Sequence, residues 1–271
     1  MPYEIILRPY GDQSTQQDSI SVNGTNVPRI AADSERFRLY GGSVDYHAAL
    51  ARYFKMNKGG KSVPTFINMN EYLRRDHFRY FCSLPNPFVS LTVPVDVTPL
   101  VAACKEKGES FYLAMMHAIA HAGNQVPQLR QRVRGDGIVQ YERCMTSHIE
   151  LLEDETYCYC TLQQDLPLLE YFRAAEAARS AAQNHATIEE DPAKAESLFF
   201  ISCLPWLHYT CLCEPVGNDS NPRFTWGKYE ADPLGHLMMP VSVTAHHGLV
   251  DGVHIARFYQ ALESQIQRIA Q

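Results

Sequence analysis

A long apolar segment near the end of the chain, residues 237–245, constrains the fold more than any other feature of the sequence. Its apolar and β-branched residues predict a largely buried strand, which delivers His246 and His247 at its end. A helical pattern, residues 252–270, follows after a few residues. Strand ends beside a helix start are where mixed folds place their chemistry. The segment therefore predicts a central strand together with a candidate functional site.

The two adjacent histidines need separate explanations, because neighbouring strand residues point to opposite faces of a sheet. At most one of them can point into a given site. Asp251 follows His247 by four residues and immediately precedes the predicted helix. Its carboxylate is a candidate cap for that helix or a ligand for a cation held from elsewhere in the chain. Both alternatives stay open at this point.

The remainder of the chain from Phe66 onward alternates helical and extended patterns. This alternation predicts an α+β fold in two layers, with helices packed on a mixed sheet. The predicted helices are residues 70–82, 96–107 (capped by Asp96 or Thr98), 111–125, 167–184 and 252–270. The predicted strands are residues 89–95, 138–141 and 147–151 (as parts of a hairpin or meander), and three β-rich segments at 198–213, 223–229 and 238–246.

Residues 1–62 differ in character and are predicted to form an N-terminal extension or small subdomain, followed by the main domain at 63–271. The pair Gly59-Gly60 is typical of such a boundary. The extension either decorates the main fold or helps to shape a substrate site. Within it we expect short strands at residues 5–7 and 36–40, a hairpin turn at Asn23-Gly24 and an amphipathic segment at 45–54.

Composition argues against several kinds of partner. The formal net charge is −6, and no basic block is longer than Arg74-Arg75, so we expect no nucleic-acid partner. The N-terminus has no signal-like pattern, and no segment approaches the roughly 18 apolar residues of a membrane span, so we expect a cytoplasmic protein without membrane contact. His117 and His121 have a spacing that can chelate a metal, but no third ligand is evident, and we expect no bound metal.

Residues 66–269 resemble the chloramphenicol acetyltransferase family over nearly its whole length. The histidine–aspartate–glycine signature alone is shared with condensation domains and dihydrolipoyl acyltransferases, but five motifs here follow the family's order. The resemblance implies transfer of an acyl group, first of all acetyl, from acyl-CoA to a hydroxyl of a small molecule, as in antibiotic resistance. The matching motifs are residues 74–78 (Arg-Arg-Asp-His-Phe), 110–112 (Ser-Phe-Tyr), 201–206 (Ile-Ser-Cys-Leu-Pro-Trp), 225–229 (Thr-Trp-Gly-Lys-Tyr) and 246–252 (His-His-Gly-Leu-Val-Asp-Gly).

The resemblance also implies roles for individual residues. His247 matches the general base that removes a proton from the acceptor hydroxyl, and an imidazole with an ordinary pKa of about 6.5 suits this task at neutral pH. Ser202 matches the donor to the tetrahedral oxyanion, and Thr225 matches a threonine that supports the intermediate through water. Asp251 looks like a third triad member, yet it matches an aspartate that pairs with the arginine at Arg74 and holds the site's architecture.

For the co-substrate acyl-CoA, the resemblance implies that Tyr112 and Tyr229 flank the adenine and that Lys228 lies near the nucleotide phosphate. The family's lysine before Phe-Tyr is Ser110 here, which implies the loss of one cationic contact. The resemblance further implies a homotrimer with active sites at the subunit interfaces and no permanently bound cofactor.

The acceptor pocket departs from the family's pattern. Tyr80, Phe81 and Tyr157 keep its aromatic character, whereas Glu214 and Arg223 replace apolar residues. A buried charge is costly unless it is paired, so these two either pair with each other, face solvent or meet a polar acceptor. We therefore expect a different, more polar acceptor than chloramphenicol.

Two alternative functions stay open. A dihydrolipoyl-type acyltransferase domain shares the fold and the motif, but that family typically has Asp-His-Arg where this chain has His246-His247-Gly248, and no lipoyl domain or linker is expected upstream. The other alternative is a catalytically weak or inactive family member that binds a small ligand. The departures at Ser110 and in the pocket permit it.

Overall fold

The computed structural model describes residues 63–163 and 166–271, and before them only the backbone of four short strands. The chain divides into two compact units, Met1–Gly59 and Gly60–Gln271. The predicted amphipathic segment at 45–54 lies outside the described residues. In the first unit β1 (Tyr3–Ile6) pairs with β4 (Arg36–Leu39), and β2 (Ser19–Val22) pairs with β3 (Thr25–Pro28) in the register expected for a turn at Asn23-Gly24.

The second unit contains the remaining strands and five described helices. The strands are β5 (Thr65–Phe66), β6 (Phe88–Asp96), β7 (Gln131–Arg134), β8 (Gly137–Gln140), β9 (Met145–Leu151), β10 (Tyr157–Leu162), β11 (Leu198–Leu204), β12 (Arg223–Gly227), β13 (Glu230–Ala231) and β14 (Leu237–His246). The helices are α1 (Arg75–Cys82), α2 (Thr98–Lys107), α3 (Phe111–Gln125), α4 (Leu168–Asn184) and α5 (Gly252–Ala270).

A seven-stranded mixed sheet forms the framework, in the order β10, β9, β11, β12, β14, with β6 on the far side of β14 and the short β13 beside its start. β9, β11 and β12 are parallel, whereas β10, β14 and β6 are antiparallel to their neighbours. Because β14 has partners on both sides and is buried from Met239 to its end, the prediction of a central strand is confirmed. A second sheet contains β5, β8 and β7.

Helices α2, α3 and α5 pack together on the main sheet, and α4 packs on β10 and β9. Every residue of α3 from Leu113 to Ala120 is buried, because this helix lies between the sheet and its neighbours. Phe224 of the sheet packs its ring 4.8 Å from that of Phe258 in α5. The α+β fold predicted from the sequence is thus confirmed, and the apolar core lies on the helix side of the sheet.

Three predictions about elements are wrong. α1 begins at Arg75 and not at residue 70, because the preceding residues form turns that end in Arg74. Strands β8 and β9 do not form a hairpin, since β8 pairs with β7 and β5 while β9 pairs with β10 and β11. The β-rich segment at 198–213 stops at Leu204, where Pro205 and the residues after it leave the sheet.

His117 and His121 lie on α3 with their ring centroids 4.1 Å apart. Burial lowers the pKa of His117 to about 4. Across the described part of the chain, no group of three side chains is arranged to hold a metal ion. Nor does any helix in that part combine the length and apolarity needed to cross a membrane.

Candidate functional site

His247 lies in the turn between β14 and α5, and three contacts hold it there. Its backbone N–H donates to the carbonyl of Pro87 at 2.7 Å. Its Nδ1 lies 2.9 Å from the carbonyl oxygen of Val250. Its ring stacks on Phe81, with centroids 3.9 Å apart. Because a carbonyl can only accept, Nδ1 carries the proton of the neutral imidazole, which leaves Nε2 as a proton acceptor.

Arg74 and Asp251 fasten this turn to the starts of two helices. Arg74 Nη1 lies 3.1 Å from Asp251 Oδ2, and Arg74 Nη2 donates to the carbonyl of His247 at 3.2 Å. Asp251 is also the cap of α5, because its Oδ1 accepts from the N–H of Gly252 at 2.7 Å, and this bond and Arg74 lower its pKa. Asp251 therefore combines the two roles considered for it, because it caps a helix and pairs with a cation. It does not act as the third member of a triad, since Nδ1 of His247 is bonded to Val250 and not to Asp251. We call Arg74, Phe81, Val250 and Asp251 the histidine cradle.

His246 has a structural role of its own, separate from that of His247. It is 7% exposed, and its Nδ1 accepts from the N–H of Gly248 at 3.2 Å. A side chain at Gly248 would bring a Cβ within 3.0 Å of the His246 ring. Burial lowers the pKa of His246 to about 4, so its imidazole is neutral at physiological pH. This histidine shapes the turn that presents His247.

A row of hydroxyl side chains crosses four strands of the main sheet. Alternation along the strands puts them on the face opposite to Phe224, which turns its ring towards α5. Thr92 and Ser242 are hydrogen bonded at 2.8 Å. We call this row the hydroxyl face; its members, each opposite the next in register, are Ser202, Thr225, Ser242 and Thr92.

The segment 205–222 packs on this face through close contacts. The Tyr209 hydroxyl accepts from Ser242 Oγ at 3.2 Å and donates to the carbonyl of Thr225 at 2.9 Å. The N–H of Lys228 donates to the carbonyl of Leu207 at 2.7 Å. A Cβ at Gly227 would lie only 2.4 Å from that same carbonyl, so this contact requires a residue without a side chain. Sequence reasoning did not identify Tyr209 or Ser242, because only the register brings them to the site.

Glu214 belongs to this segment and contacts Thr225. The Thr225 hydroxyl donates to Glu214 Oε2 at 3.3 Å, while Glu214 Oε1 is buried and has no hydrogen-bond partner. Since the single hydroxyl proton of Thr225 is directed at Glu214, Thr225 offers its oxygen lone pairs to anything else that binds there. Ser202 is only partly buried, and its hydroxyl is the one on this face that stays open for donation.

Arg223 does not pair with Glu214, which excludes one of the three arrangements expected from the sequence. Its guanidinium binds Asp219 through two bonds, Nη1 to Oδ1 at 3.1 Å and Nη2 to Oδ2 at 2.7 Å. It also lies over the rings of Phe88 and Phe200, at 5.9 and 5.3 Å from their centroids. Asp219 was missed, although opposite charges four residues apart are a signal that could have suggested it.

The histidine cradle and the hydroxyl face lie far apart within one chain. Thr225 is opposite Ser242, which precedes His247 by five residues, a distance of about 16 Å along an extended strand. Ser202 lies two strands away from β14, about 10 Å across the sheet. The side chains of His247 and Ser202 from the same chain therefore cannot act on one reacting carbonyl.

The three aromatic residues predicted to line the acceptor pocket lie in two places, the histidine cradle and the far edge of the main sheet. Tyr80 is exposed, and its ring contacts Phe81 with centroids 5.2 Å apart, so both lie at the histidine cradle. Tyr157 lies on β10, an edge of the sheet that is three strands from β12, where it stacks on Tyr159 at 6.0 Å. Within one chain, Tyr157 is not brought together with the other two.

The residues matched to CoA binding lie near the start of α3. Tyr112 is mostly buried between Trp226 and Arg179, at 5.7 and 5.4 Å, and burial raises the pKa of its phenol. Tyr229 packs edge-on against Phe111, the residue of α3 next to Tyr112, with ring centroids 5.5 Å apart. The remaining two are Lys228, which is exposed and lies 3.7 Å from Glu230, and Ser110, which caps α3 by accepting from the N–H of Leu113.

Comparison with known proteins identifies close relatives of this fold and sequence. The family model described as chloramphenicol acetyltransferase matches residues 64–263. A chloramphenicol acetyltransferase from Clostridium perfringens is 30% identical over 206 residues, covering 74% of this chain and 97% of that protein. One from Bacillus pumilus is 27% identical over 201 residues, covering 72% of this chain and 90% of that protein.

Solved structures with the same fold include a member of this family and other acetyltransferases. A chloramphenicol acetyltransferase structure superimposes with a TM-score of 0.67 at 24% identity, covering 75% of this chain and all of that one. A probable dihydrolipoamide acetyltransferase from Listeria monocytogenes superimposes with a TM-score of 0.57 at 17% identity, covering 78% of this chain and 96% of that one. Both share the architecture of the main sheet and its helices.

Proposed function

Because the chain belongs to the chloramphenicol acetyltransferase family, we propose that it transfers an acetyl group from acetyl-CoA to a hydroxyl group of a small molecule. The observation that carries the proposal is the tautomer of His247. Its Nδ1 is committed to the carbonyl of Val250, so Nε2 is the nitrogen that accepts a proton. A second subunit then supplies the groups that this histidine lacks in its own chain.

The proposed reaction has two steps. Nε2 of His247 takes the hydroxyl proton of the acceptor while the acceptor oxygen attacks the thioester carbonyl carbon, which forms a tetrahedral oxyanion. Ser202 donates its hydroxyl to that oxyanion, and Thr225 supports the intermediate through water. The C–S bond then breaks, and the imidazolium returns the proton to the CoA sulfur. Product ester and free CoA leave, and His247 is neutral again.

We propose that the active site lies between copies of the chain in a homotrimer. The separation of about 16 Å along β14 supports this, because the catalytic groups meet only if the hydroxyl face of one subunit lies against the histidine cradle of another. Tyr112, Tyr229 and Lys228 then serve acetyl-CoA, and no permanent cofactor takes part. The acceptor pocket is lined by Tyr80, Phe81, Tyr157, Glu214 and Arg223.

A thiol-release assay with acetyl-CoA and a panel of alcohols, chloramphenicol among them, tests the proposal. We expect CoA release that depends on the acceptor and disappears in His247→Ala. Efficient acetylation of chloramphenicol with a micromolar KM would contradict the expectation of a different, more polar acceptor. Tight acceptor binding without any CoA release would instead favour a family member that only binds its ligand.

A dihydrolipoyl-type acyltransferase is the second enzymatic candidate, supported by the shared architecture alone. Against it stands the sequence His246-His247-Gly248, in which a side chain in place of Gly248 would crowd the His246 ring at about 3.0 Å. Replacing the alcohols of the panel with dihydrolipoamide separates the two. Faster transfer to dihydrolipoamide than to every alcohol would favour this second candidate.

A further inference from the structure

Glu214 holds a negative charge at the hydroxyl face that no group of the described chain neutralises. Its Oε1 is buried without a hydrogen-bond partner, and its Oε2 receives only the neutral hydroxyl of Thr225. None of the ion pairs among residues 63–163 and 166–271 includes Glu214. Glu214 is partly buried, and burying one carboxylate oxygen without a partner is costly, so a bound donor would offset that cost.

The nearby cation is not available to Glu214. Arg223 lies two residues before Thr225 on the same strand, but both of its terminal nitrogens bind Asp219. The rings of Phe88 and Phe200 hold the guanidinium in place. Thus the two charged residues that stand at apolar positions of the family differ. Arg223 is neutralised inside the chain by Asp219, and Glu214 is left for a ligand.

We propose that the acceptor is an alcohol that carries a protonated amine close to its reactive hydroxyl, and that Glu214 binds the ammonium group. This inference rests on the proposed acetyl transfer and names its substrate class. An ammonium group supplies Glu214 Oε1 with a hydrogen bond and also with an opposite charge, and a neutral hydroxyl supplies only the hydrogen bond.

The location of Glu214 fits this class of acceptor. Thr225, which donates to Glu214, is directly opposite Ser202 across one pair of strands, about 5 Å apart. An ammonium group at Glu214 and a reacting oxygen beside Ser202 are therefore separated by a few bonds of the substrate. Glu214 acts as a specificity residue in binding the acceptor, whereas the proton transfer stays with His247.

A pair of acceptors with the same shape tests the inference. One is 2-(dimethylamino)-3-phenylpropan-1-ol, which is protonated at neutral pH and cannot form a stable amide; the other, 2-isopropyl-3-phenylpropan-1-ol, is neutral. We expect the native chain to acetylate the ammonium alcohol with kcat/KM about 10- to 100-fold above that for the neutral one. A ratio of one or less overturns the inference while leaving acetyl transfer in place.

Variants at Glu214 test whether its carboxylate causes the difference in kcat/KM between the two alcohols. Glu214→Gln keeps the shape and an oxygen for the Thr225 hydroxyl but loses the charge, so the ratio should fall close to one. Glu214→Asp keeps the charge and should retain a preference for the ammonium alcohol. Glu263→Gln, at an exposed position on α5, should leave the ratio unchanged.

Two outcomes contradict the inference in distinguishable ways. If Glu214→Gln melts like the native chain and keeps the native ratio, the ammonium is bound elsewhere. If neither alcohol nor any other hydroxyl acceptor releases CoA from the folded protein, the proposed acetyl transfer itself fails, and the inference fails with it.

Discussion

The histidine cradle and the hydroxyl face differ in how completely the chain pairs their polar groups. In the cradle, His247 Nδ1, its backbone N–H and its carbonyl all have partners within the chain, and Asp251 serves both Arg74 and the start of α5. On the hydroxyl face, Ser202 is partly exposed and Glu214 Oε1 has no partner. In the cradle Arg74 Nε is also buried without a partner, but every group that holds His247 is paired, whereas the hydroxyl face leaves a carboxylate oxygen unpaired.

This difference separates two tasks. In the proposed reaction, the cradle fixes one tautomer of His247 whatever the acceptor is, and so it prepares the proton transfer in advance. In the proposed trimer, the hydroxyl face leaves its donors to another subunit and its charge to the acceptor. We therefore expect changes in the cradle to alter rate and stability, and changes on the hydroxyl face to alter rate and selectivity.

Removing the base should have the largest effect. His247→Ala should lower kcat by about 10²- to 10⁴-fold, because the carboxylate of Asp251 is bound by Arg74 and by the N–H of Gly252 and cannot replace the base. Its thermal melting should fall by no more than about a few degrees, since the ring loses one hydrogen bond, to Val250, and its stacking on Phe81. Acceptor-dependent CoA release and a melting curve measure the two effects. Residual activity near the native level would move the base away from His247.

Ser202→Ala should lower kcat by about 10²- to 10³-fold, the usual cost of one oxyanion donor. Refolding it together with His247→Ala provides a sharper experiment. If each site takes its histidine and its serine from different subunits, random mixing in equal amounts leaves both residues intact in about a quarter of all sites, and activity returns there. Mixtures as inactive as the separate variants would mean that both residues act from one chain.

Acid should destabilise the folded chain through His246, which shapes the turn that presents His247. Its folded pKa of about 4 lies below the unfolded value of about 6.5, so the unfolded chain binds the extra proton between these values. The free energy of unfolding should fall by roughly 1.4 kcal/mol per pH unit for this group as the pH drops from 6.5 to 4. Urea unfolding across this range measures it. His246→Asn should reduce the slope by this amount and leave the similar contribution of His117, and the same change at the exposed His185 serves as control.

The smallest effect is expected from Asp251→Asn. Asparagine still caps α5, so the loss is mainly the charge opposite Arg74, worth about 1 kcal/mol of unfolding free energy. Activity should fall as well, because Arg74 also binds the carbonyl of His247. The exposed pair Arg75–Asp76 provides the control Asp76→Asn, which should change neither. Melting and activity both at the native level in Asp251→Asn would contradict its structural role.

Elements with strong local signals could be predicted from the sequence. Helices α3 and α5 begin and end at the predicted residues, because each has a regular apolar pattern and a polar cap, Ser110 and Asp251. The strand β14 was equally clear from its apolar run. The start of α1 was not, since Arg74 leaves the helical pattern to reach Asp251, 177 residues later.

Features that depend on pairing between distant segments could not be predicted in this way. β8 and β9 each have a strand pattern, but nothing local shows that they belong to different sheets. The site residues were located by their motifs, yet the motifs carry no information on distance, so the separation of His247 from Ser202 emerges only from the register of β11, β12 and β14. The partner of Arg223 likewise depends on how the segment 205–222 folds back.

The close approach at Gly227 bears on how such a protein can change over time. The segment that carries Glu214 is attached there mainly through backbone atoms, the carbonyl of Leu207 and the N–H of Lys228, against a residue with no side chain. Backbone anchorage tolerates substitution elsewhere in the segment. New acceptor preferences can therefore arise in residues 210–218 by single substitutions, while the strand bearing the histidine keeps its sequence and Asp219, Ser220 and Asn221 stay fixed by their own hydrogen bonds.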